Sequence, residues 1–388
     1  MSTSSRSRTI RRAAWGVAAA AGIALAAFLT QAARVAYPLE RLSFTADPGT
    51  WRGVYHVHTQ ASDGRGTIAD IVAAARASGA AWVLVADHNR LDGPRARIVD
   101  GILLVFSPEV SALDGHVTAL GVSRALTRPE RRAPGALATI RALGGTPVAA
   151  HPLGRKRPYL RLDDPLLGGI EILSADQEFR DALVSPLSLL PAALTYTVSP
   201  EHAVMLLLRR PARTLARWDQ LLAVRRMAGF CAVDAHGRPP YAVMMATLQM
   251  HVEVGHAPTG DAASDGAALL DALKDGRSFC GIEAIAGAGG FSFTGEDGSG
   301  GMANDRELSL DRHPVVRVEL AYASLPPGTR PVLLCGGTEA PMTASPAARG
   351  RRYEYRPDKP GACRVEVLVD NGSGGTWPWI LSNPIYIR

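Results

Sequence analysis

The chain has 388 residues, 47% of them hydrophobic, which suits one large domain with a smaller companion and excludes a mainly disordered protein. Its net charge of +6 does not mark a polyanion-binding face, because residues 1–41 hold six arginines against Glu40, leaving only +1 for everything beyond. Duplex nucleic acid is therefore not an expected partner.

The first element is "AAWGVAAAAGIALAAFLT", Ala13 to Thr30, an uncharged apolar stretch behind Arg11 and Arg12. A positive flank before such a stretch is the pattern of a secretory signal or an uncleaved anchor. Residues 1–36 are accordingly expected to export the protein to a bacterial envelope, periplasmic or anchored in the inner membrane. The Pro- and Gly-containing "YPLERLSFTADPGT" reads as a linker.

From Trp51 onward, apolar runs of strand length alternate with helical stretches ended by glycine: "TIADIVAAARASGA" then "AWVLVADH", "GILLVFSPEV", "HVTALGV", and "PGALATIRALGG" then "TPVAAHP". This alternation predicts βα units and a largely parallel sheet or barrel over residues 48–287. Residues 178–228 read as helical, cut by Pro186, Pro191, Pro200 and Pro211. After Gly287 come strand-like runs separated by Gly, Pro and Asn turns, so 288–388 is expected to be a small β-sandwich. Trp377 and Trp379 in "GTWPWILSNP" suit packing in its core better than a carbohydrate platform.

Four cysteines, Cys231, Cys280, Cys335 and Cys363, lack the close CxxC spacing of a structural zinc site. They suit buried apolar positions; in an exported chain Cys335 and Cys363 also lie in two strand-like runs that could pair.

In parallel α/β architectures functional side chains gather where strands end at their carboxyl edge. Here His56 and His58 share one face of a strand with Asp63 just beyond. Asp87 and His88, Glu109, His151, and Asp234 with His236 end further strands, and His116 opens one. Any one of these is ordinarily a surface or hydrogen-bonded residue. Together they put imidazoles and carboxylates at one mouth, an arrangement that is costly unless cations compensate it. A mixture of imidazole and carboxylate without thiolate suits zinc, manganese or ferrous iron.

The ordered motifs "HVHTQASDG", "ADHN", "SPEV" with "GHVTALG", "AAHP" and "DAHG" resemble those of the PHP (polymerase and histidinol phosphatase) superfamily of metal-dependent phosphoesterases, over about Trp51 to Gly287. The Glu109 to "GHVTALG" spacing and the ending "WPWILSNPIYIR" look most like its CehA/McbA-type branch. The resemblance implies a distorted seven-stranded β/α barrel with two to three divalent ions. His56, His58 and Asp234 would hold one ion and His116 and His151 a second, with Glu109 bridging them; Asp63, His88 and His236 would hold a third. The family usually has an acidic residue two positions before the first histidine. Val54 stands there, so a carboxylate partner for His56 or its neighbours is expected to be missing.

Such a centre implies hydrolysis of a phosphate ester, small or nucleotide-like, by in-line attack of a metal-bridging hydroxide, with Glu109 and Asp234 at the reacting centre. Asp87 is expected to orient a neighbouring imidazole. Arg65, Arg90 and the run Arg155, Lys156, Arg157 follow ligand-bearing strands and are candidates to clamp phosphate, Arg155 first. The same centre suits carboxyl esters, amides or carbamates, and a non-catalytic envelope binding protein is the reading from another class. The residues do not indicate an oligomeric state.

Overall fold

The computed structural model describes residues 3–36, 44–155, 158–184, 186–297, 306–372 and 374–388; Lys156 and Arg157 of the basic run lie outside them. Thr3–Ala36 is one helix. Within it Ile10–Thr30 is exposed and apolar over 21 residues. At 1.5 Å per residue that is about 30 Å, the thickness of a bilayer's hydrocarbon core.

Eleven strands follow: β1 (Thr50–Val57), β2 (Trp82–Val85), β3 (Ala96–Val99), β4 (Ile102–Phe106), β5 (Glu109–Ala112), β6 (Gly115–Leu120), β7 (Thr146–Ala149), β8 (Gly169–Ser174), β9 (Ala228–Ala235), β10 (Gln249–Glu253) and β11 (Ser278–Gly281). β2, β7, β8 and β9 are buried at every position, as strands covered on both faces must be. The helix Ile68–Ser78 between β1 and β2 starts at Thr67 in a capping box with Asp70 and stops at Gly79, whose φ of 70° an L-residue rarely adopts. It buries Ile71, Val72, Ala74 and Ala75.

Parallel ladders join β4, β2, β1, β9, β8 and β7 in that order. β6 pairs antiparallel with β7, and β5 with β6. β3 lies antiparallel outside β4. The seven-stranded barrel expected from the resemblance gives way to a large mixed sheet whose ladders do not close. Where β4 runs into β5, an isolated bridge from His88 to Glu109 links β5 to the chain beyond β2, the Glu109 N–H donating to Ala86 O and the Asn89 N–H to Glu109 O. The carboxyl ends of β1, β2, β8 and β9 nevertheless open on the same side, because parallel strands point the same way.

The first half of β1 also pairs with β10, and β10 with β11. The remaining strands are β12 (Phe291–Glu296), β13 (Glu307–Leu308), β14 (Val315–Leu320), β15 (Arg330–Cys335), β16 (Thr338–Ala340), β17 (Thr343–Ser345), β18 (Arg351–Tyr355), β19 (Gly361–Asp370), β20 (Thr376–Ser382) and β21 (Ile385–Ile387). β20 pairs antiparallel with β11, so β19, β15 and β21 extend the main sheet. β12, β14, β18 and β17 form a second, antiparallel sheet. β12 and β14 alternate buried and half-buried positions with period two. Trp379 is fully buried and donates to Ala286 O at 2.8 Å, while Trp377 is half-buried against the core.

Cys335 and Cys363 face each other across β15 and β19 and form a disulfide. A second disulfide joins Cys231 of β9 to Cys280 of β11. The expectation of these two cysteines as buried apolar residues captured the burial and missed the bond, which depends on β9 and β11 meeting 49 residues apart in sequence.

Candidate metal centre

β1 delivers His56 and His58, but not as a regular strand: its register slips between Val54 and Val57 against β2, and His56 sits at φ 70°. His151 just after β7 and Asp234 near the end of β9 are also in the left-handed region, at φ 31° and 49°. Such a conformation costs a residue without glycine's freedom on the order of 1 kcal/mol or more. Three ligand-type residues carry that strain at one place, where it re-aims their side chains.

They converge on Glu109, which is 1% exposed. Its Oε2 lies 3.5 Å from His56 Nε2, 3.4 Å from His58 Nε2 and 3.1 Å from His88 Nδ1. Its Oε1 lies 2.8 Å from His116 Nδ1 and 3.2 Å from His151 Nε2. Asp234 Oδ1 completes the first group, 3.5 Å from His56 Nε2 and 3.2 Å from His58 Nε2; the two imidazole nitrogens are 3.1 Å apart. Four ligands bound at about 2.1 Å around one ion would stand about 3.0–3.4 Å apart in octahedral or tetrahedral geometry. The side chains therefore already trace the edges of a coordination polyhedron. His88 Nδ1 makes no hydrogen bond despite its distance from Glu109, as befits a lone pair aimed at a shared point. This donor set fits divalent cations.

Around Asp63, at the outer rim, stand His88 Nε2 at 3.4 Å, His236 Nε2 at 3.4 Å and His58 Nδ1 at 3.5 Å. His236 stacks on His58 with ring centroids 4.3 Å apart. All nine expected ligands thus lie in one cluster, within which four overlapping sets come close enough to share an ion: His58, Asp63, His88 and His236; His56, His58 and Glu109; His88, Glu109 and His116; and Asp176, Asp234 and His236.

Charge explains why such a cluster can persist. Burial opposes ionisation of Glu109, yet the facing imidazoles, His56 foremost, outweigh it and hold the carboxyl well below its usual range. Burial likewise opposes protonation of His151 and His236, but hydrogen bonds to Glu109 and Asp63 respectively, with nearby carboxylate charge, lift both to about 9. Without cations, then, protons take part of their place.

The carboxylate that Val54 fails to supply comes from β8. Glu171, 1% exposed, faces His56 Nδ1 with Oε1 at 2.5 Å and accepts the His151 N–H with Oε2 at 2.7 Å. One side chain thereby sets the tautomer of a ligand and anchors the backbone of another. The expectation of a missing partner is overturned by the mixed sheet, which lays β8 within reach of β1 by way of β9. An ionisable residue in the buried run "GGIEILSAD" was the signal. His236 is fixed differently, its Nδ1 donating to Asp234 O at 2.9 Å.

Among the described residues Asp87 touches no imidazole directly; it holds Ser62, whose Oγ lies 3.4 Å from His58 Nδ1. The Asp87 oxygens accept from Thr59 N at 2.7 Å, Thr59 Oγ1 at 2.6 Å and Ser62 Oγ at 2.7 Å, holding the loop that carries Asp63. The arginine candidates also lie elsewhere. Arg65 is exposed, Arg90 is spent on Asp92 at 2.7 Å and Ala61 O at 3.1 Å, and Arg155 turns to Asp181 at 3.5 Å. None lines the 230 Å³ cavity over the cluster. The helix Ala175–Leu183, entered directly from β8, lines it instead with Asp176, Gln177 and Arg180.

No family model and no curated protein matches the sequence. Among solved structures the chain is similar to a two-domain protein from Bacteroides vulgatus ATCC 8482, described as containing a predicted PHP-like metal-dependent phosphoesterase. Identity is 11%, the match covers 88% of this chain and 98% of the other, and the TM-score is 0.37. So distant a likeness identifies neither activity nor substrate.

Proposed function

We propose that this chain is a metal-dependent hydrolase of the PHP type that cleaves a small phosphate ester. The carrying observation is Glu109, one buried carboxylate with an oxygen turned to each of two imidazole groups. That is the posture of a bridging ligand, and it gives no advantage to a side chain that merely packs. Divalent ions held here, zinc, manganese or iron, would supply Lewis acidity and lower the pKa of a water.

The chain's own part is to orient and to desolvate. Glu171 holds His56 with its Nε2 lone pair toward the cluster, and the His236 to Asp234 contact presents His236 Nε2 to Asp63. His56, His58 and Glu109 are at most 1% exposed, so water and substrate reach them through the cavity that Asp63, His88, His116, His151 and His236 line. Asp234, beside both deep imidazoles, keeps its carboxyl ionised against burial because His56 and His58 face it. With Glu109 it balances the charge of the ions.

The apolar helix and the two disulfides support an exported, envelope-located enzyme tied to the membrane through residues 1–36, with its catalytic part in 48–287 and a β-rich companion in 288–388. The test is elemental analysis of protein lacking residues 1–36, followed by a screen of phosphomonoesters, phosphodiesters and carboxyl esters with and without chelator. Two to three equivalents of metal and chelator-sensitive phosphate release are expected. Metal-free protein with full activity refutes the reading, metal with only carboxyl-ester cleavage moves it to non-phosphate substrates, and metal without turnover of any ester points to a binding protein.

A further inference from the structure

The cavity over the cluster is lined by imidazoles, carboxylates, Gln177 and one guanidinium, that of Arg180. Arg180 sits one helical turn after Asp176 and forms an ion pair with it. Asp176 is 4% exposed and offers an oxygen close to Asp234 and His236, so its pairing with Arg180 draws the guanidinium toward the ligand side of the helix. Arg180 itself keeps 43% of its side chain accessible, and a guanidinium has five donors, more than one carboxylate takes up. A second cavity, of 300 Å³, adjoins it at Gln177 and His151, which line both, and is lined also by Glu178 and Asp181, toward which Arg155 points.

We propose that Arg180 grips the anionic group of the substrate at the metal centre and that Asp176 is the residue that positions it. This rests on the hydrolase reading and adds a substrate class: an ester negatively charged at the bond to be cut, in preference to a neutral one. A planar guanidinium offers two parallel N–H groups to two phosphate oxygens, which a lysine does not. Arg180, 43% accessible, and the buried Glu109 line the same cavity, so a group seated there can turn its non-bridging oxygens to the guanidinium.

The experiment uses metal-loaded protein, wild type, Arg180→Ala, Arg180→Lys and Asp176→Asn, each checked for metal content and for an unchanged melting transition. Inorganic phosphate binding is measured by calorimetry, and kcat and KM are measured on a phosphate ester and a neutral carboxyl ester. Arg180→Ala is expected to weaken phosphate about tenfold to a hundredfold, the worth of a charge-assisted hydrogen-bond pair, and to raise KM for the phosphate ester more than it lowers kcat. Arg180→Lys restores part of the binding, and Asp176→Asn gives a smaller loss in the same direction. Loss on the neutral ester stays several-fold smaller. Should Arg180→Ala fold poorly, Arg180→Gln replaces it. Phosphate binding unchanged in the Arg180 variants, with wild-type phosphate-ester turnover intact, overturns the assignment alone. A wild-type protein that neither binds phosphate nor cleaves phosphate esters overturns it together with the phosphoesterase reading.

Discussion

The two ends of the chain handle buried charge in opposite ways. In the C-terminal strands each buried ion meets its opposite. Arg364, 2% exposed on its side chain, spans Asp219 at 2.6 and 2.7 Å and Glu366 at 2.8 Å, and Arg210 closes on Glu366 at 2.5 and 2.7 Å. On the second sheet Arg317 binds Glu296 at 2.8 Å and Glu354 at 3.0 Å. At the parallel strand ends, five imidazoles instead face one carboxylate, Glu109, and among the described residues no arginine pairs with it. The first arrangement is complete as the protein makes it; the second is complete only with cations or protons added. Self-sufficient charge marks a region that holds the fold, and unbalanced charge one that holds something else.

The sharpest way to break that contrast is in the complete region. Arg364→Met strands Asp219 and half of Glu366's partners, and should lower unfolding free energy by about 3 kcal/mol, the low end for a broken buried pair because Arg210 remains. Urea melts check it, and metal content per folded molecule should not change. In the incomplete region the order reverses. Glu109→Gln should abolish much of the metal content and reduce turnover at least about a hundredfold, since the charge that lets two cations approach is gone. Elemental analysis and initial rates measure it; full metal content with near-normal turnover would refute a bridging role.

Glu171→Gln comes next. It touches no proposed ion, so the loss should be confined to about tenfold to a hundredfold in metal affinity, seen by competition with a chromophoric chelator. An unchanged affinity would mean that the Glu171 contacts to His56 and His151 only fill space.

The smallest effect is on pH. With His151 and His236 near 9 in metal-free protein, cations must displace their protons, so apparent affinity should rise about tenfold per pH unit for each proton released, levelling off near pH 9. The sign for stability is opposite. Both groups titrate higher in the folded chain than in the unfolded one, so their stabilisation of metal-free protein is complete below about pH 6.5 and is lost as pH climbs through about 9. Metal-loaded protein should not show that loss, which separate melts of the two forms across pH 6–10 would reveal.

The ligand-type residues were legible because all but His116, which opens a strand, end or follow an apolar run that announces one, and parallel strands present their ends together. The helical region 178–228 was legible from an apolar stretch cut by prolines, and β14, β15, β19 and β21 from strand-like runs between Gly, Pro and Asn turns, whereas β12, β13, β16, β17, β18 and β20 were not. Asp87 and the three arginines were legible only as neighbours of ligands in sequence, and neighbourhood along the chain says little about direction. Asp87 turned to Thr59 and Ser62, and Arg155 to Asp181.

Local pattern by itself determined what the strands are and which polar residues stand at their ends, since burial and period act within a few residues. Tertiary structure decided everything that depends on two distant segments meeting. Glu171 replaces the acid that Val54 lacks because the sheet brings β8 across from β1, 115 residues away. Cys231 finds Cys280 because β9 and β11 converge, and Arg180 reaches the cavity because its helix leaves β8 on the ligand side. Whether the sheet closes was likewise decided in three dimensions, between the end of β2 and the start of β5, which an isolated bridge from His88 to Glu109 joins.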